Sequence, residues 1–245
     1  LGEVYRFIEE LLNLPLTQQA LAQPQNEKLV NELLEGSIRY IDICSNIRDT
    51  VLLMKEGARE LQSALRRRKV GGDLSNVAAY ICFRKKMKKE IAKSLATLKH
   101  IDNNFGASPL VDSDHHLSAV VRVLTEAGLS TISIFQLQLV FLSVPVLKKP
   151  RPTRWSLVSK LVHKGVVACE GQRNSLNEME SVNMATSNFL LPGSRNDIAV
   201  TERIQSANRA LETLDVSIEG FENGLECLFR HLIHTRVSLL NILSH

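Results

Sequence analysis

"LETLDVSIEGFENGLECLFRHL" (Leu211 to Leu232) decides the fold class. Leu211, Leu214, Ile218, Phe221, Leu225, Leu228 and Leu232 recur at alternating steps of three and four, the heptad spacing that keeps one apolar seam on one side of a helix. One position after five of these residues stand Glu212, Asp215, Glu219, Glu222 and Glu226. An acidic stripe therefore runs beside the seam. The spacing predicts a final helix from about Asp197 to Ser244. Such a seam serves a homo-oligomer as well as a bundle within one chain, so the oligomeric state stays open at this point.

The same period recurs upstream. Val4, Phe7, Ile8, Leu11 and Leu12 predict an amphipathic first helix, which Pro15 ends or restarts. From Asn26 to Lys69 no proline interrupts, and Cys44, Ile47, Val51, Met54, Ala58, Leu61 and Leu65 step by three and four. That predicts one long helix, with Gly36 and Gly57 as the places for a bend. A "VGGD" turn at 70–73 and a cap at Asp73 or Ser75 lead into a helix ending near Ile101. A loop follows, then a helix from Asp114 to Ser143 and one capped by Thr153 that runs to Asn188. Breaks are expected near 70–73, 102–113, 145–152 and 191–196. No strand alternation or internal repeat competes. The expectation is an all-α fold: an elongated antiparallel bundle of long helices forming a single domain over 1–245.

Net charge of +4 conceals an asymmetry. Between Lys55 and Lys99 thirteen Lys and Arg stand against four Asp and Glu, a local net of +9 that leaves −5 for the remainder. The densest part is "RKKMKKEIAK" (84–93). Met87, Ile91, Leu95 and Leu98 line one face of its helix, and Arg84, Lys85, Lys86, Lys88, Lys89 and Lys93 wrap the others. This is a basic amphipathic helix, suited to an anionic membrane surface or an acidic protein partner. Arg66, Arg67, Arg68 and Lys69 extend the candidate binding surface made by Arg84, Lys85, Lys88, Lys89 and Lys93. The alternative is a solvated helix face, neutralised against the acidic stripe of the last helix; whether that stripe masks the basic helix at rest stays open at this point. Aromatics suited to base stacking are scarce and no nucleic-acid signature is present, so nucleic acid is not the expected partner.

Two other readings come from local patterns. "AGLSTISIFQLQLVFLSVPVL" (127–147) carries no charge over its whole length, enough to span a membrane. Gln136, Gln138 and Pro145 count against a span, and a bundle helix buried all round explains the run equally well. Cys227, His231 and His234 share one helical side, a conceivable metal set without an evident fourth ligand. His115 and His116 read as loop residues at a helix start. No nucleophile elbow, phosphate loop, dinucleotide fingerprint or zinc-protease motif occurs, so neither a catalytic residue nor a cofactor is expected and the chain is read as no enzyme. Cys44, Cys82, Cys169 and Cys227 are widely spaced, which suits a reducing compartment. The expected location is cytoplasmic with a membrane-associated fraction, or nuclear as the alternative. The chain opens on Leu1 and reads as a piece lacking its natural start.

Several long strings carry a family resemblance: "LLNLPLTQQALAQ" (11–23), "IDICSNIRDTVLLMKEGARELQSALRRRKVGGD" (41–73), "YICFRKKMKKEIAKSLATLK" (80–99), "LSAVVRVLTEA" (117–127) and "FENGLECLFRHLIHTRVSLLNILSH" (221–245). The chain resembles the plant-specific family known as domain of unknown function 241, related to the BYPASS group. The resemblance implies plant origin, a helical fold, no established enzymatic activity, and at most an adaptor or regulator in development, stress signalling or membrane trafficking. No catalytic motif is defined for the family, so it transfers no functional residue. Two departures stand out: a Ser/Pro-rich leader is missing, and "SRNDIAV" (194–200) is shorter than the variable linker expected there. The combined expectation is a non-enzymatic plant regulatory or scaffold protein that acts through helix-mediated protein contacts and an anionic membrane surface. An integral membrane protein and a metal-dependent enzyme are the alternatives.

Overall fold

A computed structural model describes residues 1–67, 75–105, 115–144, 177–189 and 197–244. Seven α-helices account for most of them: α1 (Gly2–Leu12), α2 (Pro15–Leu21), α3 (Glu27–Arg66), α4 (Ser75–Phe105), α5 (His115–Leu142), α6 (Glu178–Ser187) and α7 (Asp197–Ser244). Among the described residues there is no strand, and the fold is all-α. At about 1.5 Å per residue, α3 and α7 span roughly 60 and 70 Å.

Pro15 restarts the helix, sitting in the first turn of α2 where its missing N–H costs nothing. A 3-10 turn at Pro24–Asn26 then feeds α3, with Asn26 Nδ2 donating to the Ala20 carbonyl at 2.7 Å. α3 runs unbroken through Gly36 and Gly57. α4 continues to Phe105, into the break expected at 102–113. The expected turns at 70–73, 145–152 and 191–196, and Thr153, lie outside the described residues.

The helix expected from Thr153 to Asn188 is not continuous. Asn177 is extended (φ −70°, ψ 164°) and starts α6 with a capping box. Glu180 N–H donates to Asn177 Oδ1 at 2.8 Å, and Asn177 N–H donates to Glu180 Oε2 at 3.3 Å. In α1 the inward residues are Tyr5, Ile8 and Leu12, while Val4 and Phe7 are exposed. Ile8 and Leu12 of the predicted stripe are inward, but Tyr5 takes the place of Val4 and Phe7, its hydroxyl satisfied in the core by Thr131 Oγ1 at 2.9 Å.

α3 and α7 form the central pair. Their ion pairs show them antiparallel: Arg48–Glu226, Lys55–Glu222, Arg59–Asp215 and Arg66–Glu212 rise along α3 as they fall along α7. α4 packs on α3, α5 on α4 and α3, and α1 bridges α5 and α7, closing the bundle. α6 lies on α7 through Met179, Val182 and Ala185. Buried residues from all seven helices belong to one hydrophobic core. Every seam residue except half-buried Phe221 is buried, and Phe221 stacks edge-on against Phe141 at 5.1 Å. The seam is thus used within the chain.

Close helix approach depends on Gly128 of α5. A Cβ there would fall 2.2 Å from the Tyr40 hydroxyl oxygen and 2.8 Å from its Cζ, and Tyr40 is itself buried. Gly128→Ala is expected to cost about 1–3 kcal/mol by overpacking. Thermal unfolding should show a Tm lowered by several degrees.

Candidate functional site

The core stripe of α4 is Val77, Tyr80, Ile81, Arg84, Met87, Ile91 and Leu98, all buried. On a helix turning 100° per residue this stripe places Lys85, Lys86, Lys89 and Lys93 on the opposite side, with Lys88 at the edge. All five lysines are exposed. Lys93 bonds Glu90, one turn back, at 3.0 Å. Lys85, Lys86, Lys88 and Lys89 have no ion pair among the described residues. Arg67 is exposed as well, and Arg68 and Lys69 lie outside the described residues.

Arg84 departs from the expectation. It is 2% exposed and belongs to the core face, so it is no part of the surface. Nη1 donates to the Leu142 carbonyl at 3.1 Å and lies 3.0 Å from Met54 Sδ, and Nη2 donates to the Val144 carbonyl at 2.9 Å. The guanidinium therefore caps the C-terminus of α5, where free carbonyls and the helix dipole favour a cation. Asn183 of α6 also donates to the Val144 carbonyl, at 3.4 Å. Burial lowers the Arg84 pKa, partly offset by Tyr80.

The acidic stripe has a different partner from the one expected. Glu212, Asp215, Glu222 and Glu226 pair with Arg66, Arg59, Lys55 and Arg48 of α3, and Asp215 receives Arg59 in a two-bond fork at 2.9 and 3.0 Å. The Asp215 bond raises the Arg59 pKa. Only Lys55–Glu222 is largely removed from water, with side chains 16% and 20% exposed. The others contribute roughly 0.2–1 kcal/mol each, acting mainly to fix helix direction and register. Arg66 is one of these rungs, so it is an internal partner of α7 as well as an exposed cation. Among the described residues no carboxylate of the stripe pairs with a lysine of α4, and four of the five pair with α3.

Cys227, His231 and His234 do not make a metal centre, and no group of three or more His, Cys, Asp or Glu among the described residues could hold an ion. The histidines converge instead on Glu9 of α1, His231 Nδ1 at 2.9 Å and His234 Nδ1 at 3.7 Å from Oε1. Tyr5 stacks on His231 at 6.2 Å. This cluster pins α1 to α7. Cys44 is buried, its thiol 3.6 Å from the Leu225 carbonyl and its pKa pushed up to about 11 by burial, with Arg48 opposing and Glu226 adding to the shift. It is a packing residue.

α5 is the one described helix long and apolar enough to cross a membrane. Within the bundle it buries Leu117, Val120, Ile132, Phe135, Leu139 and Leu142, while Leu137 (69%) and Val140 (53%) remain exposed. His115 is exposed at its start, and His116 Nε2 lies 3.0 Å from Thr17 Oγ1.

The described residues define an all-α helical bundle with an internal charge ladder between α3 and α7, a buried arginine at the end of α5 and one cationic helix face. The chain belongs to the family described as Protein BPS1, whose model matches residues 1–242, in agreement with the BYPASS-related plant resemblance. Membership supports the reading as a plant regulatory protein and defines no mechanism for it. Comparison with curated proteins and with solved structures finds no match.

Proposed function

We propose that the chain is a non-enzymatic scaffold of plant cells whose cationic α4 face attaches it electrostatically to an anionic surface, while its helix faces hold a protein partner. The anionic leaflet on the cytoplasmic side is the surface this reading names. One observation carries it: Lys85, Lys86, Lys88 and Lys89 are exposed within five residues and have no counter-ion among the described residues. Four carboxylates of the α7 stripe, Glu212, Asp215, Glu222 and Glu226, are occupied by α3. Each lysine near an anionic leaflet contributes about 1 kcal/mol. Because the apolar face of α4 is in the core, attachment rests on charge and not on insertion, and salt weakens it strongly.

Flotation of the purified chain with neutral and phosphatidylserine-containing vesicles tests this. Binding is expected to the anionic vesicles alone, weakened but retained at physiological salt and lost in a Lys85→Glu/Lys86→Glu/Lys88→Glu/Lys89→Glu variant. Equal binding to neutral vesicles, or binding indifferent to the four substitutions, overturns it. The exposed Leu137 and Val140 on α5 favour a second reading, membrane embedding. A monodisperse preparation without detergent would count against that one.

A further inference from the structure

The edge along which α3 and α7 exchange ion pairs changes character along its length. From Arg66 to Arg48 on α3, and from Glu212 to Glu226 on α7, it carries the charge ladder. Continued at the same heptad spacing, the α3 rows reach Ile41 and Ile38, and the α7 rows reach Phe229, Ile233 and Leu240, with Val237 beside them. Ile38, Ile233, Val237 and Leu240 are between 37% and 47% exposed, and Ile41 and Phe229 are half-buried. Neighbouring helices dock elsewhere: α1 meets the opposite edge of α7 at His231 and His234, and α4 meets the opposite edge of α3 at Gly57.

The charges bordering this apolar face are one-sided. Arg236, within it, donates from Nη1 to the Leu34 carbonyl at 2.6 Å and to the Ser37 hydroxyl oxygen at 3.0 Å, and meets no carboxylate among the described residues. Arg230, on the α7 border, shares Glu226 with Arg48, so two cations stand on one carboxylate. On the α3 border stand Asp42, one turn after Ile38, and Asp49, both exposed and without an ion pair among the described residues. Glu35 and Arg39 beside Asp42 pair with each other. One border therefore offers cations and the other carboxylates.

Such a face is complementary to itself. A two-fold axis parallel to the helices lays α3 of one copy across α7 of another at unchanged height. Counted from the Arg48–Glu226 rung at about 1.5 Å per residue, Ile38 stands about 15 Å along α3 and Val237 about 16 Å along α7, so apolar meets apolar. Asp42 stands about 9 Å along, between Arg230 at about 6 Å and Arg236 at about 15 Å on the other copy. An axis across the helices would instead lay α3 on α3 and set Asp42 against Glu35, like charge against like.

We propose that this face joins two copies of the chain in an isologous dimer, apolar at its centre, with Asp42 of each copy paired to Arg230 of the other and Arg236 beside them. The apolar part measures about 16 Å by two helix widths of about 10 Å, roughly 300 Å² per copy. That is in the range of functional patches on soluble proteins and small for a dimer, so the affinity is micromolar. The α4 lysines take no part, so this reading and vesicle attachment can fail independently.

Sedimentation velocity of the full chain over a concentration series tests the proposal. A monomer–dimer equilibrium is expected, with Val237→Glu/Leu240→Glu raising the dissociation constant at least about tenfold. Asp42→Arg and Arg230→Asp should each weaken the dimer. Both together in one chain should restore it, because each copy then offers the exchanged charges. A monomer at every concentration overturns the proposal and leaves the face to a different protein. A dimer untouched by Val237→Glu/Leu240→Glu, or no recovery in the paired exchange, overturns it as well. All four positions are exposed, so the variants are expected to fold, and circular dichroism checks that they do.

Discussion

Replacing Leu225 by alanine is expected to lower the unfolding free energy by about 2–5 kcal/mol. Leu225 is buried in the middle of the α7 seam, and the substitution strips three carbons, Cγ, Cδ1 and Cδ2, from the packing between α3 and α7 while leaving the carbonyl that accepts from the Cys44 thiol in place. The effect is a large part of the roughly 5–15 kcal/mol that holds most domains folded. Urea unfolding gives the number directly, as a fall in the midpoint with an unchanged slope. A loss under roughly 0.5 kcal/mol would mean that the seam is not core, since surface changes stay within that range. The Leu211 to Leu232 row would then be free to serve an oligomer or a partner.

Arg84→Ala is the second large effect, about 3–5 kcal/mol. It removes three contacts at once: the bonds to the Leu142 and Val144 carbonyls and the packing against Met54. Each orphaned buried carbonyl costs about 1–3 kcal/mol and the vacated volume adds a cavity. Arg84→Met loses the same cation and the same two bonds but keeps most of the volume, so it should recover roughly half of the loss. The two variants separate packing from capping. Neither should change vesicle binding, because the guanidinium does not reach the surface. A variant that folds as stably as the native chain but loses vesicle binding would return Arg84 to the lysine face.

Much of the architecture is written in local pattern. The α7 seam, the proline restart at Pro15 and the long uninterrupted α3 follow from helical period and backbone rules, which are properties of neighbouring residues. Arg84 was legible in principle. Val77, Tyr80, Met87, Ile91 and Leu98 step by three, seven, four and seven, and position 84 falls on their stripe, but charge counted along the chain groups it with the lysines instead. The start of α6 was legible too: Asn177 followed three residues later by Glu180 is a capping-box signature inside what reads as continuous helix.

Other features have no local signal. Arg48, Lys55, Arg59 and Arg66 sit on α3 at steps of seven, four and seven, matching the acidic stripe, yet α4 offers it a denser set of cations. Only the antiparallel register of α3 and α7 decides between them. The close approach of the Phe83 ring to Gly57 is likewise a contact between helices that periodicity cannot place. In α1, Tyr5 displaces Val4 and Phe7 from the core because its hydroxyl finds Thr131 on α5, a partner 126 residues away.

The decisive measurement is flotation on phosphatidylserine vesicles at low salt, comparing the native chain with two charge-reversed variants. One carries Lys85, Lys86, Lys88 and Lys89 as Glu, the other Glu219 and Glu222 as Lys. The α7 carboxylates face α3 and do not cover α4, so the expected result is loss of binding in the first variant and native binding in the second. A several-fold gain of binding in the second would mean that the acidic stripe masks the lysine face. Undiminished binding in the first would mean that the lysine face of α4 is not the attachment surface.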